Sequence, residues 1–205
     1  MVRFHSASTR CRISAKQIQR EFGVTYKTAW RMFKQVRTLL AETNPIFTGE
    51  VEADESYFGG ARRGKRGRGA EGKVAVVGAV QRQGKVVAKA VPHLKRSTPV
   101  PFMANKVARN ATLYTDEFPA YDHMTRLGYK HLRIEHGARV YARGNIHTNS
   151  IEGFWSLVKR GISGVYHAVS PKYLQSYLNE YAFRYNYRKD ETPMFMTILQ
   201  QISRA

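Results

Sequence analysis

The chain has 205 residues, enough for one sizeable core and a small appended segment, and its 42% hydrophobic and 12% aromatic content excludes a disordered polymer. Its 34 Lys plus Arg against 15 Asp plus Glu give a formal charge of +19, which favours a polyanionic partner because each neutralised phosphate releases condensed counterions. A single cysteine, Cys11, excludes an internal disulfide and a cysteine-based zinc site. The apolar runs are too short to cross a bilayer, and the first residues lack the apolar stretch of a secretion signal, so a soluble, intracellular chain without a membrane partner is expected.

Residues 12–42 read as two helices. Ser14 followed by Gln17 is a capping-box start, and "AKQIQREF" runs to Gly23, a natural helix stop. A second helix begins near Thr25, with Ala29, Met32, Phe33, Val36, Leu39 and Leu40 at helical spacing. Two helices joined by a short turn containing Gly form a helix-turn-helix candidate, whose base-facing residues would be Tyr26, Lys27, Thr28 and Arg31. An ordinary helical hairpin with solvated charges is the bland alternative; the overall charge favours DNA binding.

Residues 50–135 read mainly as strands. "EVEADESYF", "KVAVVGAVQ" and "KVVAKAV" are β-branched runs separated by Gly-bearing turns, the last two joined as a hairpin at "RQG". Between the first two lies "GGARRGKRGRGAEGK", Gly59 to Lys73, which cannot bury apolar surface and reads as a mobile basic loop. A helix around "TPVPFMANKVAR", a short strand "ATLYT", a helix near "AYDHMTRLG" and a strand "KHLRIEH" follow, which together predict an α/β sheet of mixed sense. Residues 149–188 return to helix, with Tyr173, Tyr177, Tyr181 and Tyr185 on one stripe. Such a stripe could stack on bases, but core is the commoner role and the one expected here.

The acids carry the chemistry. A carboxylate on a DNA-binding surface repels its ligand unless it holds a metal that reverses the local sign. Mg²⁺ is held by one or two carboxylates plus substrate phosphates, and a two-metal phosphoryl-transfer site gathers several carboxylates. Asp54 lies inside a predicted strand, where an acid is unfavourable without a task; Glu52 shares its face, while Glu55 lies with Val51 and Ala53. Asp116 ends a short strand, where ligands gather in open α/β sheets, although a turn or capping Asp is common. Glu152, three residues after Asn149 and just before "FWSLVK", also reads as half of a capping pair. Lys159 follows Glu152 by seven positions and shares its helix face.

Taken singly these acids are unspecific; together they are not. Thirty-five residues, 117 to 151, separate Asp116 from Glu152, with Lys159 at plus seven. That arrangement resembles the acidic triad of DDE transposases and retroviral integrases, and the words "VEADESYFGG", "LYTDEFPAY", "HTNSIEGFWSLVKRGISGVYHAVSPKYLQSYLNEYAFRYNYR" and "AKQIQREFGVTYKTAWRM" resemble insertion-sequence transposases of the ISXO2-like family over residues 13 to 190. The resemblance implies an RNase H-like fold: a mixed five-stranded sheet flanked by helices in residues 46–205, the DDE catalytic domain, preceded by the helix-turn-helix segment of residues 1–45. It further implies two Mg²⁺ ions, with Mn²⁺ able to substitute, held by Asp54, Asp116 and Glu152. Because family members can carry Asn as the third ligand, Asn149 stays open beside Glu152. A phosphate would rest on Lys159 and Arg160, and Arg62, Arg63, Lys65, Arg66 and Arg68 would clamp backbone. His147 is expected to be structural.

The implied activity is metal-dependent cleavage and strand transfer at the ends of an insertion sequence, on double-stranded DNA, by a homodimer or larger assembly in a prokaryotic cytoplasm, associated with the nucleoid. Such transposases often carry an N-terminal Cys-rich zinc module, which this chain is expected to lack. The alternatives are a DNA-binding regulator or inactive remnant, and a nuclease that cuts without joining.

Overall fold

The computed structural model describes residues 13–41, 45–59, 72–134 and 147–202. It divides into two compact units, residues 43–157 and residues 1–42 with 158–205. The C-terminal helices therefore group with the N-terminal pair.

In the first of these units the three β-branched runs form β1 (Glu50–Phe58), β2 (Val74–Gln81) and β3 (Val86–Val91), and the two short strands expected after them form β4 (Thr112–Thr115) and β5 (Lys130–Arg133). They make one sheet in the order β3-β2-β1-β4-β5. β1, β2 and β3 pair antiparallel, while β4 pairs parallel to β1 and β5 parallel to β4. The "RQG" turn closes β2 onto β3, with the Gly84 N–H donating to the Gln81 carbonyl at 2.9 Å and Gln83 in the left-handed region. This mixed five-stranded sheet with flanking helices is the arrangement expected from the sequence.

The pleat sorts β1 into two buried faces. Val51 and Ala53 join Ala75, Val77 and Ala79 of β2 in a core with Met103 of α3 (Pro99–Lys106), Leu113 and Tyr121. On the opposite face Glu52 and Asp54 stand in register with Val80 and Gly78. Against that face lies the first part of α5 (Asn149–Gly161), with Ile151, Phe154 and Trp155 buried. Gly78 makes this approach feasible: a Cβ there would lie 2.6 Å from the Trp155 ring. The helix expected near "AYDHMTRLG" is a 3₁₀ turn over Pro119–Asp122 followed by one turn of α4 (His123–Arg126).

The other unit opens with α1 (Ala15–Phe22) and α2 (Tyr26–Leu39). Ser14 caps α1 by accepting from the Gln17 N–H at 3.2 Å, Gly23 ends it at φ 66°, and Thr25 caps α2. Ile13, Ile18 and Ala29 form a small core. Met32 and Val36, predicted on the apolar stripe of α2, are exposed, whereas Arg37 is buried. Its guanidinium donates to Glu180 of α6 (Pro171–Asn186) at 2.8 Å and lies 3.9 Å from the Tyr177 ring, so its charge is balanced where it is buried. A π-turn (Ile162–Tyr166) follows α5, and α7 (Met194–Ile202) lies beyond the elements predicted from the sequence. Of the tyrosine stripe only Tyr181 is buried; Tyr173, Tyr177 and Tyr185 are half-buried, because α6 turns a single edge of the stripe inward.

Candidate active site

The parallel pairing of β1 with β4 ends at Glu52 opposite Tyr114. Two residues further along, that register brings Asp54, in the middle of β1 and still paired with Gly78 of β2, opposite Asp116, which follows the carboxyl end of β4 where the β1–β4 ladder has ended. Oxygens of Asp54, Glu55 and Asp116 lie within 4.8 Å of one another. Asp54 is pushed from its ordinary 3.8 up to about 7: burial is the main cause, followed by the charge of Asp116, with Glu152 adding to it. The three acids singled out from the sequence are thus electrostatically coupled in space.

Each carboxylate is held. The Glu55 N–H donates to Asp54 Oδ1 at 2.7 Å and the Trp155 Nε1–H to Oδ2 at 3.0 Å. Asp116 Oδ1 accepts from the Phe118 N–H at 3.0 Å, a turn-forming bond that coexists with a place in the cluster. Glu152 Oε1 accepts from the Thr148 hydroxyl at 2.7 Å. The capping partner is therefore Thr148 rather than the predicted Asn149, because the helix begins at Asn149 and Thr148 occupies the cap. Asn149 is exposed at the first helical position, and Lys159 and Arg160 are exposed in the last turn of the same helix.

Glu52, Arg82, Glu55 and Tyr121 also shape the site, without having been assigned a role from the sequence. Glu52, fully buried, accepts from the Ser150 and Ile151 N–H groups at 2.8 and 3.1 Å and from the Ser150 hydroxyl at 3.1 Å. A strand carboxylate thereby takes the orphan donors of the α5 N-terminus and ties that helix two residues from Asp54. Arg82 balances it, its Nε donating to Glu52 at 2.8 Å and its Nη2 to the His147 carbonyl at 2.9 Å. His147 Nδ1 stands 3.3 Å from Glu52, so this histidine belongs to the anchor. Glu55, which the pleat assigns to the opposite face, reaches the cluster beyond the last β1–β4 pair, and Tyr121 lies fully buried beside it. Burial, then the charges of Glu55, Asp54 and Asp116, raise the Tyr121 phenol well above its ordinary range. The available sequence signals were the Glu52–Asp54 alternation and the lone glycine in "VAVVGAV", which marks a close approach without saying to what.

Tyr26, Lys27, Thr28 and Arg31 are exposed on the first turns of α2. The basic loop residues Arg62, Arg63, Lys65, Arg66 and Arg68 lie outside the described residues. Among the described residues no helix is long and apolar enough to cross a membrane.

The sequence pattern of the ISXO2-like transposase domain matches residues 46–186, more than half of the chain. The chain belongs to the ISXO2-like transposase family. A protein of the transposable element ISH50 from Halobacterium salinarum is 29% identical to this family member over 212 residues, 93% of this chain and 71% of that one. A transposase-like protein from Haemophilus influenzae is 29% identical over 118 residues, 58% of this chain and 93% of that one. Among solved structures, the HTLV-2 integrase catalytic core domain in complex with magnesium aligns with a TM-score of 0.42 at 13% identity, covering 75% of this chain and 98% of that one. The transposase family match spans every strand of the sheet and all the carboxylates described above.

Proposed function

We propose that this protein catalyses metal-dependent cleavage of DNA at the ends of an insertion sequence and joins the freed 3′ ends to target DNA. The observation that carries the reading is the gathering of Asp54, Glu55 and Asp116 where the β1–β4 ladder ends, with the charge of Glu152 felt at Asp54, in a chain of a transposase family. The donor set fits a hard divalent cation: every side chain in the cluster offers oxygen, and no cationic side chain is among the causes that set Asp54. Asp54, Asp116 and Glu152 would hold Mg²⁺, with Mn²⁺ able to stand in, and Asn149 remains the competing third ligand. Bound there, the ions expected for this chemistry supply a nucleophile at neutral pH and offset the charge growing on the leaving oxygen.

The chain's own groups do the positioning. Trp155 and the Glu55 N–H fix both oxygens of Asp54, and the Asp116 turn and the Thr148–Glu152 bond fix the others. Asp54 keeps its proton to about pH 7 in the metal-free site, so loading near neutrality releases a proton from that carboxyl. Lys159 and Arg160 would take phosphates. The exposed Tyr26, Lys27, Thr28 and Arg31 would read the element ends, and Arg62, Arg63, Lys65, Arg66 and Arg68 would clamp backbone without reading sequence. Residues 1–45 would then serve as the helix-turn-helix segment and 46–205 as the catalytic domain. Joining two ends in one event requires a dimer or larger assembly on double-stranded DNA, in the cytoplasm beside the nucleoid of a prokaryote.

The test uses a duplex carrying the DNA that flanks this gene, incubated with protein and Mn²⁺, with 3′-end cleavage and joining followed by gel. Wild type should give both products and Asp116→Asn neither. A duplex that is bound yet never cut by wild type would remove the catalytic reading, and cleavage without joining would reduce it to that of a nuclease.

A further inference from the structure

The helical unit contains a cavity of about 380 Å³ of whose lining the transposition reading uses only Tyr26. This volume falls within the ~300–1,000 Å³ usual for small-ligand sites. Its walls come from the start of α1, one face of α2, and the segment running from the π-turn into α6. Aromatic rings dominate the lining: Tyr26, Trp30, Phe33, Tyr166, Tyr173 and Tyr177.

These rings are not packed as a closed core. Trp30 meets Tyr173 edge to face at 5.0 Å and 76°, and Tyr166 meets Tyr177 at 4.7 Å and 73°. In an edge-to-face pair, the ring that presents its edge keeps both faces outside the contact. Trp30, Tyr166, Tyr173 and Tyr177 are only half-buried, and Tyr26 is 47% exposed.

The charge around them has one sign. Lys16 stands 5.1 Å over Tyr26, Lys34 lies 5.9 Å from Trp30 and 5.6 Å from Tyr173, and Lys172 lies 5.8 Å from Tyr173. No carboxylate is among the lining residues. Arg37, also in the lining, is already balanced by Glu180, so Lys16, Lys34 and Lys172 set the local field.

This pairing of features selects an occupant. An apolar peptide would use the rings and leave the ammonium groups without a task. Duplex DNA would use the ammonium groups and leave the rings idle, since its base faces are covered by stacking. An unpaired strand uses both, because every base has a π-face and every linkage a phosphate.

We propose that this cavity binds an unpaired base of single-stranded DNA, stacked on Trp30 and Tyr173, with Lys16, Lys34 and Lys172 on the flanking phosphates. The site concerns binding alone and does not depend on the metal-dependent chemistry assigned to Asp54 and Asp116.

The test compares two single-stranded 12-mers, oligothymidylate and an abasic strand with the same backbone, bound to the full chain in EDTA and followed by fluorescence anisotropy. Wild type should bind the thymidylate about 10-fold tighter, within the range one stacked base contributes. Trp30→Ala and Tyr173→Ala should each remove most of that preference, Trp30→Phe should keep it, and Lys16→Ala should weaken both strands alike. Tyr26→Ala alters an exposed ring, so it reports even if Trp30→Ala does not fold, and it should reduce the preference at least twofold. Equal affinity of wild type for the two strands would overturn the proposal. So would a preference that survives both Trp30→Ala and Tyr173→Ala or, where those variants do not fold, one that survives Tyr26→Ala.

Discussion

Asp54→Asn should stabilise the metal-free protein at alkaline pH. In the folded chain the Asp54 carboxyl titrates near 7 instead of its ordinary 3.8, because burial and then Asp116 oppose its charge. The folded state therefore holds a proton that the unfolded state has released. Stability is fully present below about pH 3.8 and is lost as pH rises through about 7. At pH 8 the ionised carboxylate costs about 4 kcal/mol, taking ~1.4 kcal/mol for each tenfold displacement of its proton equilibrium. Asparagine removes that cost but meets donors on both oxygen positions, the Trp155 Nε1–H and the Glu55 N–H. One donor then faces another, at about 1–2 kcal/mol. The net expectation is a gain of roughly 2–3 kcal/mol at pH 8 in EDTA, falling to zero or reversing at pH 4. Urea denaturation of both proteins at the two pH values measures it. A variant that is less stable than wild type at pH 8, or a difference that does not change with pH, would refute the electrostatic account of the cluster.

Three more outcomes follow from the same geometry. Mn²⁺ affinity, measured by titration calorimetry, should rise about tenfold per pH unit up to about 7 and then level off, since one proton leaves Asp54 on loading; a flat profile would break that link. Arg82→Met should cost about 3–5 kcal/mol in denaturation, because it leaves the fully buried Glu52 without its cationic partner, and a loss below about 1 kcal/mol would mean that the helix N–H groups alone suffice. Gly78→Ala should cost about 1–3 kcal/mol, since its Cβ would stand 2.6 Å from the Trp155 ring, and should lower Mn²⁺ affinity by displacing the donor that holds Asp54. Unchanged stability and affinity in that variant would show that α5 moves outward freely.

Much of the local structure was legible because it depends on neighbours in sequence. The Ser14 cap, the helix start at Thr25, the left-handed Gly23, the three β-branched runs, the two short strands after them and the "RQG" turn are short-range choices of backbone and side chain, and each lies where it was expected. The burial of helix faces was less legible. Met32 and Val36 are exposed and Arg37 buried, because periodicity reports an apolar stripe but not which neighbour covers it. The tyrosine stripe was expected to be core for the same reason; Tyr181 is, while Tyr173 and Tyr177 line a cavity instead.

The sequence by itself singled out the acids proposed to act: spacing and flanking words selected Asp54, Asp116 and Glu152 from fifteen acidic residues. Only the tertiary structure decided how they meet. The parallel β1–β4 register places Asp54 across from Asp116, and the Glu52 carboxylate ties the start of α5 beside them. The entry of Glu55 and the raised proton affinity of Asp54 follow from that meeting, since desolvation and like-charge repulsion belong to positions in space rather than to a string of residues.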